Sequence, residues 1–135
     1  MVPFYVMSTV LNQTSRKVLV VEDNPDNQQL ATWILEDHGF TVTCVDSAEE
    51  GLELLEISRF DIVLMDISLP GMDGKEATRK IRQSPHLAKL PVLALTAHAV
   101  HGEREDILAS GVNDLATKPV DETELIALIN SLLAD

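Results

Sequence analysis

Four consecutive apolar residues, Ile62-Val63-Leu64-Met65, lead directly into Asp66 and a turn-rich stretch that carries Pro70, Gly71 and Gly74. The run is too short for a core helix and shows no polar alternation, so it reads as a strand buried on both faces. A strand inside a parallel sheet, covered by helices above and below, meets that condition. Asp66 stands where this strand ends, and the turn residues after it place the carboxylate at a strand-to-loop junction near solvent. In open α/β sheets the ligand crevice lies outside the carboxyl ends of the strands, where strand order reverses. Asp66 is therefore the candidate reacting group.

The rest of the chain repeats this alternation of strand and helix. Lys17–Val21 reads as a first, central strand, with Glu22 and Asp23 at its end. Asn24 and Pro25 suit the N-cap and first position of a helix, in which Leu30, Trp33 and Ile34 are spaced to face the sheet and Gly39 ends the run. Thr41–Val45 alternates polar and apolar residues as an edge strand does, which makes Cys44 a buried structural thiol. Ser47 and Glu50 have capping-box spacing, with Ala48, Leu52 and Leu55 inward and an end near Ser58. After Asp66, a helix over about 75–83 is capped by Asp73 and turns Ala77 and Ile81 inward. Residues 91–96 form another buried strand, ending in the hydroxyl of Thr96. A helix over 102–110 follows, stopped by Gly111; its stripe is only Ile107, Leu108 and Ala109, so it is expected to be the least firmly held. Asp114–Thr117 is a short fifth strand leading to Lys118-Pro119, and Leu125, Leu128, Ile129 and Leu132 mark the inner face of a last helix over Glu122–Leu133.

Five such alternations predict an α/β class: a doubly wound, flavodoxin-like parallel sheet of five strands with helices on both faces and right-handed crossovers. Among the common strand orders, 2-1-3-4-5 is the one that brings Glu22, Asp23 and Asp66 together. One domain is expected over 17–135, after a loose tail over 1–16, with no output domain following it. Twenty-two acidic against ten basic residues give a formal charge of −12, which disfavours nucleic acid and anionic lipid and favours a basic or zwitterionic protein surface as partner. No apolar run approaches the roughly 18 residues that span a bilayer. A single cysteine asks for no oxidising compartment, and the expected location is cytoplasmic.

In the 2-1-3-4-5 order three carboxylates, the Thr96 hydroxyl and the Lys118 ammonium converge at the strand ends. Each carboxylate pair repels by on the order of 4 kcal/mol at ~4 Å if the effective dielectric is ~20. A cation must offset this, and a donor set of oxygens alone suits Mg²⁺, or Mn²⁺, better than zinc. Such a metal, with Lys118, would draw in a phosphoryl group and favour its transfer to Asp66 as nucleophile. His98 and His101 lack a third ligand and are not read as a metal pair.

Four segments together resemble the receiver domain of bacterial response regulators, of single-domain or hybrid-kinase type. They are Val20-Val21-Glu22-Asp23-Asn24, the stretch from Leu64 through Asp66 to Gly71-Met72-Asp73-Gly74, Leu95-Thr96-Ala97-His98, and Thr117-Lys118-Pro119. The resemblance implies that Asp66 accepts a phosphoryl group from a histidine kinase or histidine phosphotransfer protein. It implies that Glu22, Asp23, Asp66 and the backbone carbonyl of Ser68 hold Mg²⁺, and that Thr96 and Lys118 bind the phosphoryl oxygens. Ser68 and His98 would flank the path of the attacking water and set the lifetime of the phosphoryl group. Thr96 would act as the switch, read by a downstream protein on the face of the fourth helix, fifth strand and last helix. The chain departs from the family at Leu115, where most receivers carry Tyr or Phe. That departure supports an alternative, a phosphate-independent interaction module of the same fold. An aspartyl-phosphate hydrolase is the further alternative, and it needs a second Asp where this chain has Ser68. In the main reading the protein is no enzyme beyond catalysing its own phosphorylation and slow dephosphorylation.

Overall fold

The computed structural model describes residues 15–97 and 102–134. The expected tail falls mostly outside them, as do His98 and His101. Strands β1 (Lys17–Val21), β2 (Thr41–Val45), β3 (Ile62–Asp66), β4 (Val92–Thr96) and β5 (Asp114–Thr117) alternate with helices α1 (Pro25–Asp37), α2 (Ala48–Ile57), α3 (Gly74–Gln83), α4 (Glu103–Ala109) and α5 (Glu122–Leu133). All pairings are parallel, in the order β2-β1-β3-β4-β5.

Period-two alternation along the strands builds one core on each side of the sheet. Val18, Val20, Ile62, Leu64, Leu93 and Leu95 pack with Ile34 and Leu35 of α1 and with Leu125 and Ile129 of α5. Leu19, Val21, Val63, Met65, Val92 and Ala94 pack on the other face with Leu55, Ala77, Ile81 and Ile107 from α2, α3 and α4. Since β3 and β4 are buried throughout, the four apolar residues that precede Asp66 and Thr96 in each are explained by helices on both sides.

The local signals form as expected. Asn24 Oδ1 accepts from the N–H groups of Asp26 and Asn27, with Pro25 at the first helical position. Asp73 Oδ1 accepts from Glu76 N–H at 2.8 Å, so Asp73 caps α3. Ser47 Oγ accepts from Glu50 N–H, but the Glu50 carboxylate returns to Asp46 N–H and not to Ser47.

Four expectations are corrected. Trp33 is 64% exposed. The inward stripe of α1 is Ala31, Ile34 and Leu35, and at ~100° per residue Trp33 lies about 200° round the helix from both Ala31 and Leu35. Cys44 is half-buried, its Sγ 3.4 Å from Thr32 Oγ1, because an edge strand is covered on one side only. In α4 only Ile107 is buried, while Leu108 and Ala109 turn outward. Asp66, expected near solvent, is 1% exposed, because the fold brings Lys118 Nζ to 3.2 Å of its carboxylate and Gly74 against its backbone carbonyl.

Candidate functional site

The direction of winding reverses between β1 and β3, which lie side by side with Val21 opposite Met65. The residues that follow each, Glu22 and Asp66, therefore meet at the carboxyl edge of the sheet. Glu22, Asp23 and Asp66 each offer a carboxylate oxygen within 4.8 Å of the others. Glu22 and Asp66 are both 1% exposed, whereas Asp23 is exposed and opens the cluster to solvent.

Lys118 reaches this cluster from the end of β5. Its Nζ lies 3.2 Å from Glu22 Oε1 and 3.2 Å from Asp66 Oδ1. The ammonium is delivered by the backbone, since Lys118 N–H donates to the Thr96 carbonyl at 2.7 Å and ties the ends of β5 and β4 together. The peptide bond into Pro119 is cis. Burial by itself would lower the Lys118 pKa, but the charges of Asp66 and then Glu22, with hydrogen bonds to both, outweigh it and raise it above the ordinary lysine value.

Glu22 is placed with equal firmness. Its Oε2 accepts from Asn24 N–H at 3.0 Å, and its backbone carbonyl accepts from Gln28 Nε2, which also donates to Asp46 Oδ1. Burial raises its pKa above the usual carboxylate value; the Asn24 bond and Lys118 act the other way, and the charge of Asp66 adds to the rise. A carboxyl with a raised folded pKa contributes stability that is full below its unfolded value, about 4.5, and is lost as pH rises through the folded value. In metal-free buffer, unfolding free energies of the parent should therefore fall relative to Glu22→Gln as pH rises from the unfolded pKa toward neutrality. A parent-minus-variant difference that stays flat across that window would exclude a strained, buried Glu22.

Asp66 is oriented by Ser68, whose N–H donates to Asp66 Oδ1 at 3.0 Å in an Asx-type turn; the Ser68 residue itself is exposed. Thr96 is 3% exposed at the end of β4. Leu115 is 6% exposed and pairs across to Ala94. The sequence reading did not single out Gln28, nor Glu49, whose Oε2 accepts from Met72 N–H at 3.2 Å and holds the loop after β3. Neither carries a capping or periodicity signal, because Gln28 bridges the Glu22 carbonyl to Asp46, 18 positions away, and Glu49 acts on Met72, 23 positions away. Gly74 was read only as a turn residue; in the fold it is the contact that closes this loop on Asp66, as a Cβ there would stand 2.2 Å from the Asp66 carbonyl oxygen.

The family model for the response regulator receiver domain matches residues 18–130. The chain belongs to this family. As a receiver domain it is 41% identical over 122 residues to the sensor histidine kinase GacS of Pseudomonas protegens, a match covering 88% of this chain and 13% of that protein. It thus spans about an eighth of the length of that kinase. An uncharacterised 14.6 kDa protein of Leptolyngbya boryana is 44% identical over 112 residues, covering 83% of this chain and 86% of that one. Among solved structures, the receiver domain of the sensor histidine kinase PA1611 from Pseudomonas aeruginosa superposes with a TM-score of 0.84 at 37% identity, over 90% of this chain and all of that one; it carries magnesium in its active-site cleft. Two-component and phosphorelay signalling is therefore the setting of this fold. No helix among the described residues is long and apolar enough to cross a membrane.

The donor set of this receiver fits a hard divalent cation. Among the described residues the ligating groups that converge are three carboxylates, with no imidazole or thiolate, and the exposed side at Asp23 leaves room for the waters that Mg²⁺ retains.

Proposed function

We propose that this receiver domain accepts a phosphoryl group on Asp66 from the phosphohistidine of a histidine kinase or phosphotransfer protein. The observation that carries the reading is the buried Asp66 carboxylate at the sheet edge, 3.2 Å from the Lys118 ammonium and grouped with Glu22 and Asp23. Glu22, Asp23 and Asp66, with the Ser68 carbonyl, would hold Mg²⁺, which when bound screens charge between the carboxylates and the incoming phosphoryl group. Asp66 attacks phosphorus as the histidine nitrogen leaves. Lys118 stands fixed beside the nucleophile, where negative charge builds on the phosphoryl oxygens, and the Thr96 hydroxyl donates to the same group. His98 and Ser68 would tune hydrolysis of the acyl phosphate.

Treatment with acetyl phosphate and Mg²⁺ should add one phosphoryl group to the intact mass, and Asp66→Asn should remove the gain entirely. Modification that persists in Asp66→Asn would refute the assignment.

Readout would leave through α4, β5 and α5. Helix α4 has one buried residue, Ile107, and is tied to α3 by the exposed Lys75–Asp106 ion pair, so little holds it in place. Leu115 supplies no aromatic ring to turn inward beside Thr96, and that observation favours the second reading, in which the same face binds a partner without phosphate. A beryllofluoride mimic that leaves hydrogen exchange across α4 unchanged would favour that reading.

A further inference from the structure

A second set of metal-ligating side chains lies on the α1–α5 face and shares no residue with the phosphoacceptor cluster. Asp37 ends α1, His38 caps it, and Glu122 opens α5; each offers a ligand atom within 4.8 Å of the others. His38 Nε2 and Glu122 Oε2 already face each other at 2.9 Å. All three are exposed, so binding a cation here requires no opening of the core.

We propose that Asp37, His38 and Glu122 form a site for a divalent transition metal, of the zinc and nickel class, that clasps α1 to α5. Donor chemistry selects this class. An imidazole nitrogen with two carboxylates suits borderline first-row ions, whereas Mg²⁺ prefers oxygen alone. The backbone favours a cation at the same place. A helix C-terminus carries partial negative charge, and α1 ends in Glu36 and Asp37 with no basic residue in its last turn. Two carboxylates and the negative end of the helix dipole, beside the imidazole, thus present negative charge that a divalent ion neutralises. Asp37 and Glu122 also line a cleft of about 460 Å³ with Leu30, Trp33 and Ile34. The open side of the cleft leaves coordination positions for water or for a side chain from a docked protein.

Trp33 makes the site readable, because it is the sole tryptophan of the sequence and shares that cleft. Paramagnetic Ni²⁺ bound there should quench its fluorescence in a saturable way at micromolar concentration, with millimolar Mg²⁺ present to occupy the carboxylate cluster at Asp66. Losing even an outer-shell partner costs a metal site roughly 10–100-fold in affinity, so His38→Ala should raise the half-quenching concentration at least about tenfold. Glu122→Gln should raise it severalfold, and Asp23→Asn should leave the curve unchanged. Asp37→Asn keeps the His38–Glu122 pair, so it tests the third ligand even if the other variants fold poorly. Absence of saturable quenching below about 1 mM Ni²⁺, an affinity too weak for a three-ligand site, would overturn the proposal. So would parent-like curves in both His38→Ala and Asp37→Asn.

Discussion

Gly74→Ala should destabilise the domain by about 3 kcal/mol or more, at the upper end of overpacking costs, and should disable phosphorylation of Asp66 with it. The added Cβ would stand 2.2 Å from the Asp66 carbonyl oxygen and 3.0 Å from both the Asp66 carbonyl carbon and the Ile67 Cα. These are backbone atoms at the end of a central strand, and no rotamer change moves them. The first turn of α3 must therefore shift away from β3. Gly74 N–H donates to the Ile67 carbonyl at 3.2 Å, so the shift breaks the hydrogen bond that joins the start of α3 to the end of β3. Asp66 then loses the loop that orients it. Gly39→Ala is the control: Gly39 has φ +90° but nothing within 4 Å of a built Cβ, so its cost is conformational alone, about 1 kcal/mol. Urea unfolding of both variants and mass after acetyl phosphate check the prediction. A Gly74→Ala protein with the parent's midpoint and full phosphorylation would show that the close approach is not structural.

Lys118→Met should cost about 3–5 kcal/mol in metal-free buffer, the usual result of leaving a buried ionic cluster without its partner. The ammonium is the only basic group within ion-pair distance of Glu22 and Asp66 among the described residues, and both carboxylates are 1% exposed. Two controls separate repulsion from lost packing. Adding Asp66→Asn to Lys118→Met should recover part of the loss, because one of the two facing charges is gone. Millimolar Mg²⁺ should also recover stability, since binding to the native state adds RT ln(1+[L]/Kd). Phosphorylation should still slow by about 10²-fold, the typical loss on removing a preorganised donor to developing charge. In the parent, the raised Lys118 pKa gives a contribution that is full below about 10.5 and lost as pH rises through the folded value. Chemical denaturation with and without Mg²⁺ measures these differences. Additive losses in the Lys118→Met, Asp66→Asn pair would mean that the lysine does not neutralise the aspartate.

Much of this was legible one turn at a time. Asn24, Ser47 and Asp73 cap their helices with side chains that bond two or three residues ahead. The apolar runs that precede Asp66 in β3 and Thr96 in β4, and the alternating β2, state their burial in their own composition. Parallel connectivity and right-handed crossovers then leave few sheet orders, and only one of the common ones gathers Glu22, Asp23 and Asp66.

What the sequence left open depends on groups distant in the chain. Trp33 sits near the stripe of α1 but turns outward, because the sheet accepts only the arc from Ala31 to Leu35. Asp66 belongs to a turn-rich segment, yet is 1% exposed, with the Lys118 ammonium brought to 3.2 Å of its carboxylate from the end of β5. Gly74 is constrained by a carbonyl eight positions earlier, and Lys118 answers a carboxylate 96 positions away. Capping and periodicity act within a turn or two of helix, and so can be read from neighbours. Desolvation and the pairing of charges are set by what the closed fold places around a group, and only the tertiary structure decides them.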